Sequence, residues 1–231
     1  GTQGNRIVES YRTEEEQVEA LRRWWNENGR STLFVIVVVL AGTFGWQGWQ
    51  RYEAQRNDSA SDLYQQMLEA ASMAEQGVVN DAPAERLASQ LRSEYSGTTY
   101  ARFAALHQAR MAVAGNDLDA AEAHLRWVLG EAGSGSDTAM VAQLRLGRVL
   151  AAQGETEQAL KLLTPAGSGK FRAASALARG DVLATAGREA EALAAYREAQ
   201  ALVQQYPGQL NIATLEAKIQ RLAAAGGEVG A

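Results

Sequence analysis

The sequence contains no cysteine, and its 231 residues include only three prolines, four phenylalanines and two histidines. Without cysteine, disulfides, thiol catalysis and cysteine-bound metals are excluded. Scarce proline and phenylalanine beside abundant alanine suit closely packed helices and argue against a sheet. His107 and His124 stand alone, without a clustered carboxylate set, and read as core or surface residues rather than metal ligands. The net charge of −5 is spread along the chain, and no concentrated basic face points to nucleic acid. No G-x-S-x-G or H-E-x-x-H motif occurs. Gly167-Ser168-Gly169-Lys170 is no phosphate loop: Thr164 stands where the upstream glycine is required, Phe171 replaces the Ser/Thr, and no strand precedes it. The expectation is therefore a protein with no catalytic residues, no metal, no cofactor and no small-molecule substrate.

What the chain does have is an apolar run, Leu33 to Trp49, inside a stretch from Ser31 to Gln50 without a formal charge. A helix needs about 20 such residues to cross a bilayer, because lipid satisfies no backbone polar group. Trp24 and Trp25 lie on one side and Trp46 and Trp49 on the other. From Trp25 to Trp46 a helix covers about 31 Å, close to one hydrocarbon thickness, which places amphipathic rings at both interfaces. A cleaved signal peptide fits poorly, since its n-region would be long and Glu-rich and no A-x-A site follows. An uncleaved signal-anchor is expected. Arg12, Arg22, Arg23 and Arg30 precede the span, whereas Arg51 and Arg56 follow it, so the positive-inside rule puts the N-terminus in the cytoplasm. Within the span, Gly42, Gly45 and Gly48 recur every third residue with Ala41 nearby, a candidate face for close helix packing.

Residues 1–12 lack a pattern and are expected to be mobile. Thr13 to Glu16 reads as a capping box opening a short amphipathic helix that carries Val18, Leu21 and Trp25 and ends near Asn28–Gly29. Beyond the span, Arg51 to Asp58 reads as a polar stalk. Helical patterns then follow on Leu63, Met67, Ala71 and Ala74, on Leu87 and Leu91 after Pro83, on Tyr100, Phe103 and Met111, and on Leu118, Ala121, Leu125 and Val128. Breaks fall at Gly77–Asp81, Ser96–Gly97, Gly115–Asn116 and Gly133–Ser136.

Two later segments match each other. Gly147, Gly154 and Ala159 recur 33 residues on as Gly180, Gly187 and Ala192. This period, with small residues at close contacts, resembles tetratricopeptide repeats of about 34 residues. In that motif a small residue lets the first helix meet the second, Gly turns the corner, and Ala packs under the first helix. Ala199 and Tyr196 fill further positions of the second copy, and the hairpin around Gly115 and Ala121 resembles a degenerate third. The repeat Trp is missing, with Gln143 and Ala176 in its place, and Pro165 shortens one helix while Pro207 falls late. Leu210, Ile212, Leu215, Ile219 and Leu222 form a last amphipathic helix expected to cap the stack. With Gly147 and Gly180 at the small contact, Leu144, Arg148, Leu177 and Asp181 are expected to face a partner groove.

The order of these features carries a wider resemblance. An acidic Gln17–Ala20 segment precedes an aromatic pair and Asn28–Gly29; a span, a stalk, degenerate repeats and a Leu-Glu-Ala-Lys-Ile helix follow. The chain resembles the YfgM family of bacterial inner-membrane proteins. That resemblance implies an ancillary subunit of the SecYEG protein-export channel, with a periplasmic repeat domain and a membrane-anchored chaperone of the PpiD type as partner. The expected architecture is all-α: residues 1–30 cytoplasmic, 31–50 crossing the lipid bilayer, 51–58 a stalk, 59–225 a tetratricopeptide-repeat-like hairpin solenoid in the periplasm, and 226–231 a disordered tail. The expected role is a membrane-anchored protein-interaction scaffold; the alternative is a structural tether or self-associating subunit of another envelope complex.

Overall fold

The computed structural model describes residues 4–164, 169–208 and 210–228, with side chains between residues 13 and 227 of these. Among them the chain forms nine α-helices and no strand. It divides into two units, Gly1–Arg56 and Asn57–Ala231.

The first helix, α1 (Gly4–Glu75), is continuous. The break expected at Asn28–Gly29 does not occur, and the polar stretch Arg51–Asp58 is helical as part of α1. One interior glycine costs only about 1 kcal/mol relative to alanine, whereas a helix end would strip partners from four carbonyls. Thr13, read as a helix start, lies inside α1 for the same reason. Of the expected mobile segment, residues 1–3 lie outside the described residues, and the backbone is helical from Gly4. Within the apolar run the Thr43 hydroxyl donates to the Val39 carbonyl at 2.8 Å, so this polar group is satisfied inside its own helix.

The second unit continues α1 from Asn57 and adds α2 (Ala82–Glu94), α3 (Thr99–Ala114), α4 (Leu118–Glu131), α5 (Asp137–Ala152), α6 (Thr156–Leu162), α7 (Gly169–Thr185), α8 (Glu189–Val203) and α9 (Ile212–Glu228). Helices α3/α4, α5/α6 and α7/α8 are antiparallel hairpins, and α3, α5 and α7 adjoin in turn. Local chemistry explains the starts. Thr98, Asp117 and Ser136 cap α3, α4 and α5, each side-chain oxygen accepting from the third amide on. The α5–α6 and α7–α8 corners turn on Gly154 (φ +86) and Gly187 (φ +77), a left-handed conformation that glycine adopts without a Cβ penalty. At the α3–α4 corner Asn116 (φ 56), not Gly115, takes that conformation.

Two cores hold the hairpins together. A small one joins Ala60 and Met67 of α1 to Ala88 and Leu91 of α2 and Ala104 of α3. Beside it the rings of Tyr64, Tyr100 and Phe103 pack with centroids 5.7, 5.8 and 6.4 Å apart. The main core runs from α3 to α9 and is rich in fully buried alanines, which lets the helices approach closely. In the last helix Leu215 and Leu222 are buried and Ile219 packs on the core. Ile212 is an exception to the expected face: as the first residue of α9 it stays 47 % exposed, while Asn211 before it caps the Thr214 amide. Helix α9 continues to Glu228, and residues 229–231 of the expected tail lie outside the described residues.

Candidate functional site

The first helices of the hairpins carry the residues that matter here. Gly147 of α5 sits against Leu163: a Cβ at Gly147 would come within 2.6 Å of that side chain. Gly180 of α7 sits against the Tyr196 ring, which a Cβ there would overlap. Ala159 and Ala192, on the second helices, have no exposed surface.

Leu144 and Leu177 are half-buried and pack on the main core. Arg148 and Asp181 come together across α5 and α7 at 3.7 Å. Asp181 is held more closely from the other side, accepting from the Tyr196 hydroxyl at 2.7 Å and from Lys218 Nζ of α9 at 2.5 Å. Burial, and then the neighbouring Asp181, raise the Tyr196 phenol above its ordinary value. Lys218 also stands 5.7 Å from the Tyr196 ring centroid. One carboxylate thus ties three helices to α5.

Next to Arg148 the structure opens. A cavity of about 360 Å³ has Ala109, Val113, Leu125 and Val149 as apolar lining and Arg110, Arg145 and Arg148 among its walls. A second, of about 270 Å³, lies between Tyr64, Leu68, Phe103 and His107 and shares Arg110 and Arg145 with the first. The sequence reading had singled out Arg148 but not these two. Arg145 precedes Arg148 by three residues, a spacing that puts both on one helix face; Arg110 lies on another helix and carries no such signal.

The histidines have structural partners. Buried Gln108 accepts from Arg92 Nη1 at 2.7 Å and donates to Glu85 Oε1 at 2.6 Å. Arg92 also donates to His124 Nδ1 at 2.8 Å and lies 4.4 Å from the Trp127 centroid. His107 Nδ1 accepts from Arg110 at 3.3 Å. Both imidazoles titrate below the ordinary histidine value, first through burial and then through the adjacent Arg92 or Arg110. Among the described residues no three His, Asp or Glu side chains gather into a metal-holding group.

The short α6 has partners that local sequence does not reveal. Gln143 of α5, at the missing repeat-Trp position, donates to the Leu162 carbonyl at 2.5 Å, and Arg179 of α7 donates to the Leu160 carbonyl at 2.8 Å. Both fill carbonyls left open where the helix stops. Pro165, expected to stop it, and Gly167–Ser168 lie outside the described residues.

Among the described residues one helix, α1, is long and apolar enough to cross a membrane, and none of its apolar window is buried. Beyond the adjacent backbone of α1, no atom comes within 4 Å of where a Cβ would stand on Gly42, Gly45 or Gly48.

Hairpins of this kind, with small residues at their close contacts, define a tetratricopeptide-repeat-like protein, and the tetratricopeptide repeat-like domain family matches residues 22–224. More narrowly, the chain belongs to the family of ancillary SecYEG translocon subunits. It is 32 % identical over 187 residues to the protein of that name from Haemophilus influenzae, covering 81 % of this chain and 88 % of the relative. The Escherichia coli protein of the same name is 30 % identical over 190 residues, 82 % and 88 % of the two chains. That of Neisseria gonorrhoeae is 28 % identical over 189 residues, 80 % and 87 %. No solved structure matches the chain.

Proposed function

We propose that this protein is a non-catalytic, membrane-anchored interaction scaffold that works with the SecYEG translocon. The observation that carries the association is the shared identity of its relatives, each named an ancillary SecYEG translocon subunit. Helix α1 supplies the anchor through Ser31 to Gln50 in the bacterial inner membrane. Its apolar side chains from Leu33 to Leu40 are all exposed in the isolated chain, an arrangement that water would oppose and lipid would favour. The N-terminus lies in the cytoplasm and the hairpin domain in the periplasm, following the Arg imbalance about the span. There the first-helix face, with Leu144, Arg148, Leu177 and Asp181, receives a protein partner, and a membrane-anchored periplasmic chaperone is the partner proposed.

Affinity purification of the full chain from detergent-solubilised membranes tests this. Channel subunits and a periplasmic chaperone should be recovered, and removal of residues 31–50 should lose the channel. Recovery of the protein alone would favour a self-associating tether built on the open Gly42, Gly45 and Gly48 face.

A further inference from the structure

We infer that the trough between α3 and α5 docks a segment of a partner protein that carries carboxylates among apolar side chains; this rests on the scaffold reading above. Two cavities there share Arg110 and Arg145 as walls. Adjoining recesses suit successive side chains of one segment better than a single compact ligand, since same-face side chains of an extended chain recur about 7 Å apart.

Charge decides the chemistry of the occupant. Arg110, Arg145 and Arg148 line the trough of a chain whose net charge is −5. Among the described residues no carboxylate pairs with Arg145. Its guanidinium is driven below its ordinary pKa first by burial and then by the charge of Arg110. Arg110 and Arg145, both exposed, are walls of the same two recesses, and their mutual repulsion is a cost that an incoming carboxylate relieves. The carboxylates already near the other two arginines compete weakly. Glu75 approaches Arg110, and Asp181 approaches Arg148, only to 3.7 Å, and in each pair the arginine is more than half exposed. Asp181 is in any case engaged by Tyr196 and Lys218.

The apolar half of the argument is that Leu68 and Val113, one on each recess, remain 41 % and 47 % exposed. A lysine-rich segment would meet like charge. A neutral apolar segment would bury the exposed Arg145 without compensating its charge. An acidic, apolar segment satisfies both.

The test uses the full chain in zwitterionic-lipid nanodiscs and three fluorescent octapeptides in which Leu alternates with Glu, Lys or Gln. The Leu-Glu peptide should bind at least tenfold more tightly than the other two and weaken as salt is raised. Arg145→Glu should weaken it at least tenfold and Arg145→Gln by less, with circular dichroism and melting unchanged, while the exposed Arg197→Glu on α8 leaves binding as it is. Equal binding of the three peptides, or wild-type binding by folded Arg145→Glu, would overturn the inference. So would a preference for phosphatidylglycerol vesicles over the acidic peptide, which would make the trough a lipid headgroup site. Recovery of SecYEG is measured on the same variants. Failed peptide binding with SecYEG retained sinks the inference alone, whereas a wild-type chain that brings down no SecYEG sinks the reading beneath it.

Discussion

Tyr196 of α8 donates its hydroxyl to Asp181 of α7 at 2.7 Å, and the same ring lies over Gly180, the residue before that aspartate. Adjacent positions of α7 therefore use one side chain twice. The glycine makes room for the ring, and the aspartate satisfies the polar tip that the ring carries into the core.

Gly180→Ala should destabilise the protein by about 1–3 kcal/mol, because the new methyl displaces a packed ring rather than the free end of a flexible chain. Gly147→Ala should cost a similar amount, since its methyl would meet Cγ and both methyls of the buried Leu163. Ala159→Leu and Ala192→Leu, at positions without exposed surface, should each cost about 1–3 kcal/mol. Thermal melting followed by circular dichroism measures all four, and unchanged midpoints would show that the repeat frame is misplaced.

Tyr196→Phe removes the hydroxyl but leaves Asp181 its lysine, so the loss should be about 0.5–1.5 kcal/mol near neutral pH. The folded state raises the Tyr196 pKa, so it holds the phenolic proton where the unfolded chain releases it. That stability is present below pH 10 and declines as pH rises above it. In denaturant titrations the alkaline fall should be shallower for Tyr196→Phe than for the parent.

At the acid end the two histidines act. Folding lowers both pKa values, so the unfolded chain takes up protons first as pH drops below about 6.5. Their contribution is present above that pH and is lost as pH falls through the depressed folded values. Protonated His124 can no longer accept from Arg92, which is the local reason. His124→Gln should flatten the decline in melting midpoint between pH 7 and 5; an identical decline would assign it to other groups.

Gln143→Ala leaves the Leu162 carbonyl near the end of α6 without its side-chain donor and should cost about 1–3 kcal/mol, whereas Arg179→Ala leaves the Leu160 carbonyl the Thr164 hydroxyl at 3.3 Å and should cost less. Hydrogen exchange is the sharper readout. Amides of α6 should exchange faster in both variants while those of α3 keep their rates, and uniform acceleration would point to global destabilisation instead.

Protease added to spheroplasts should digest the hairpin domain and spare the residues before Arg30. Protection of the domain would reverse the proposed orientation.

Several features were open to direct reading. Local chemistry is enough for helices that begin at Thr98, Asp117 and Ser136, because a cap acts within three residues. An apolar stretch as long as Leu33–Trp49 needs no partner to be recognised, since its length alone matches a bilayer. The 33-residue recurrence likewise marks Gly154 and Gly187 as corners. Where local signals were weak they misled: Asn28–Gly29 suggested a helix end, yet α1 runs through it because continuing the ladder costs less than ending it. Other relationships join residues far apart in the chain, and only packing could decide them. Tertiary structure placed Leu163 against Gly147 but Tyr196 against Gly180, although the period makes the two glycines equivalent. It brought Gln143 to the end of α6, and it set Arg110 beside Arg145 around shared cavities. Helical spacing predicts which residues share a face of one helix; which neighbour that face meets is settled by how volumes fill and charges pair between helices.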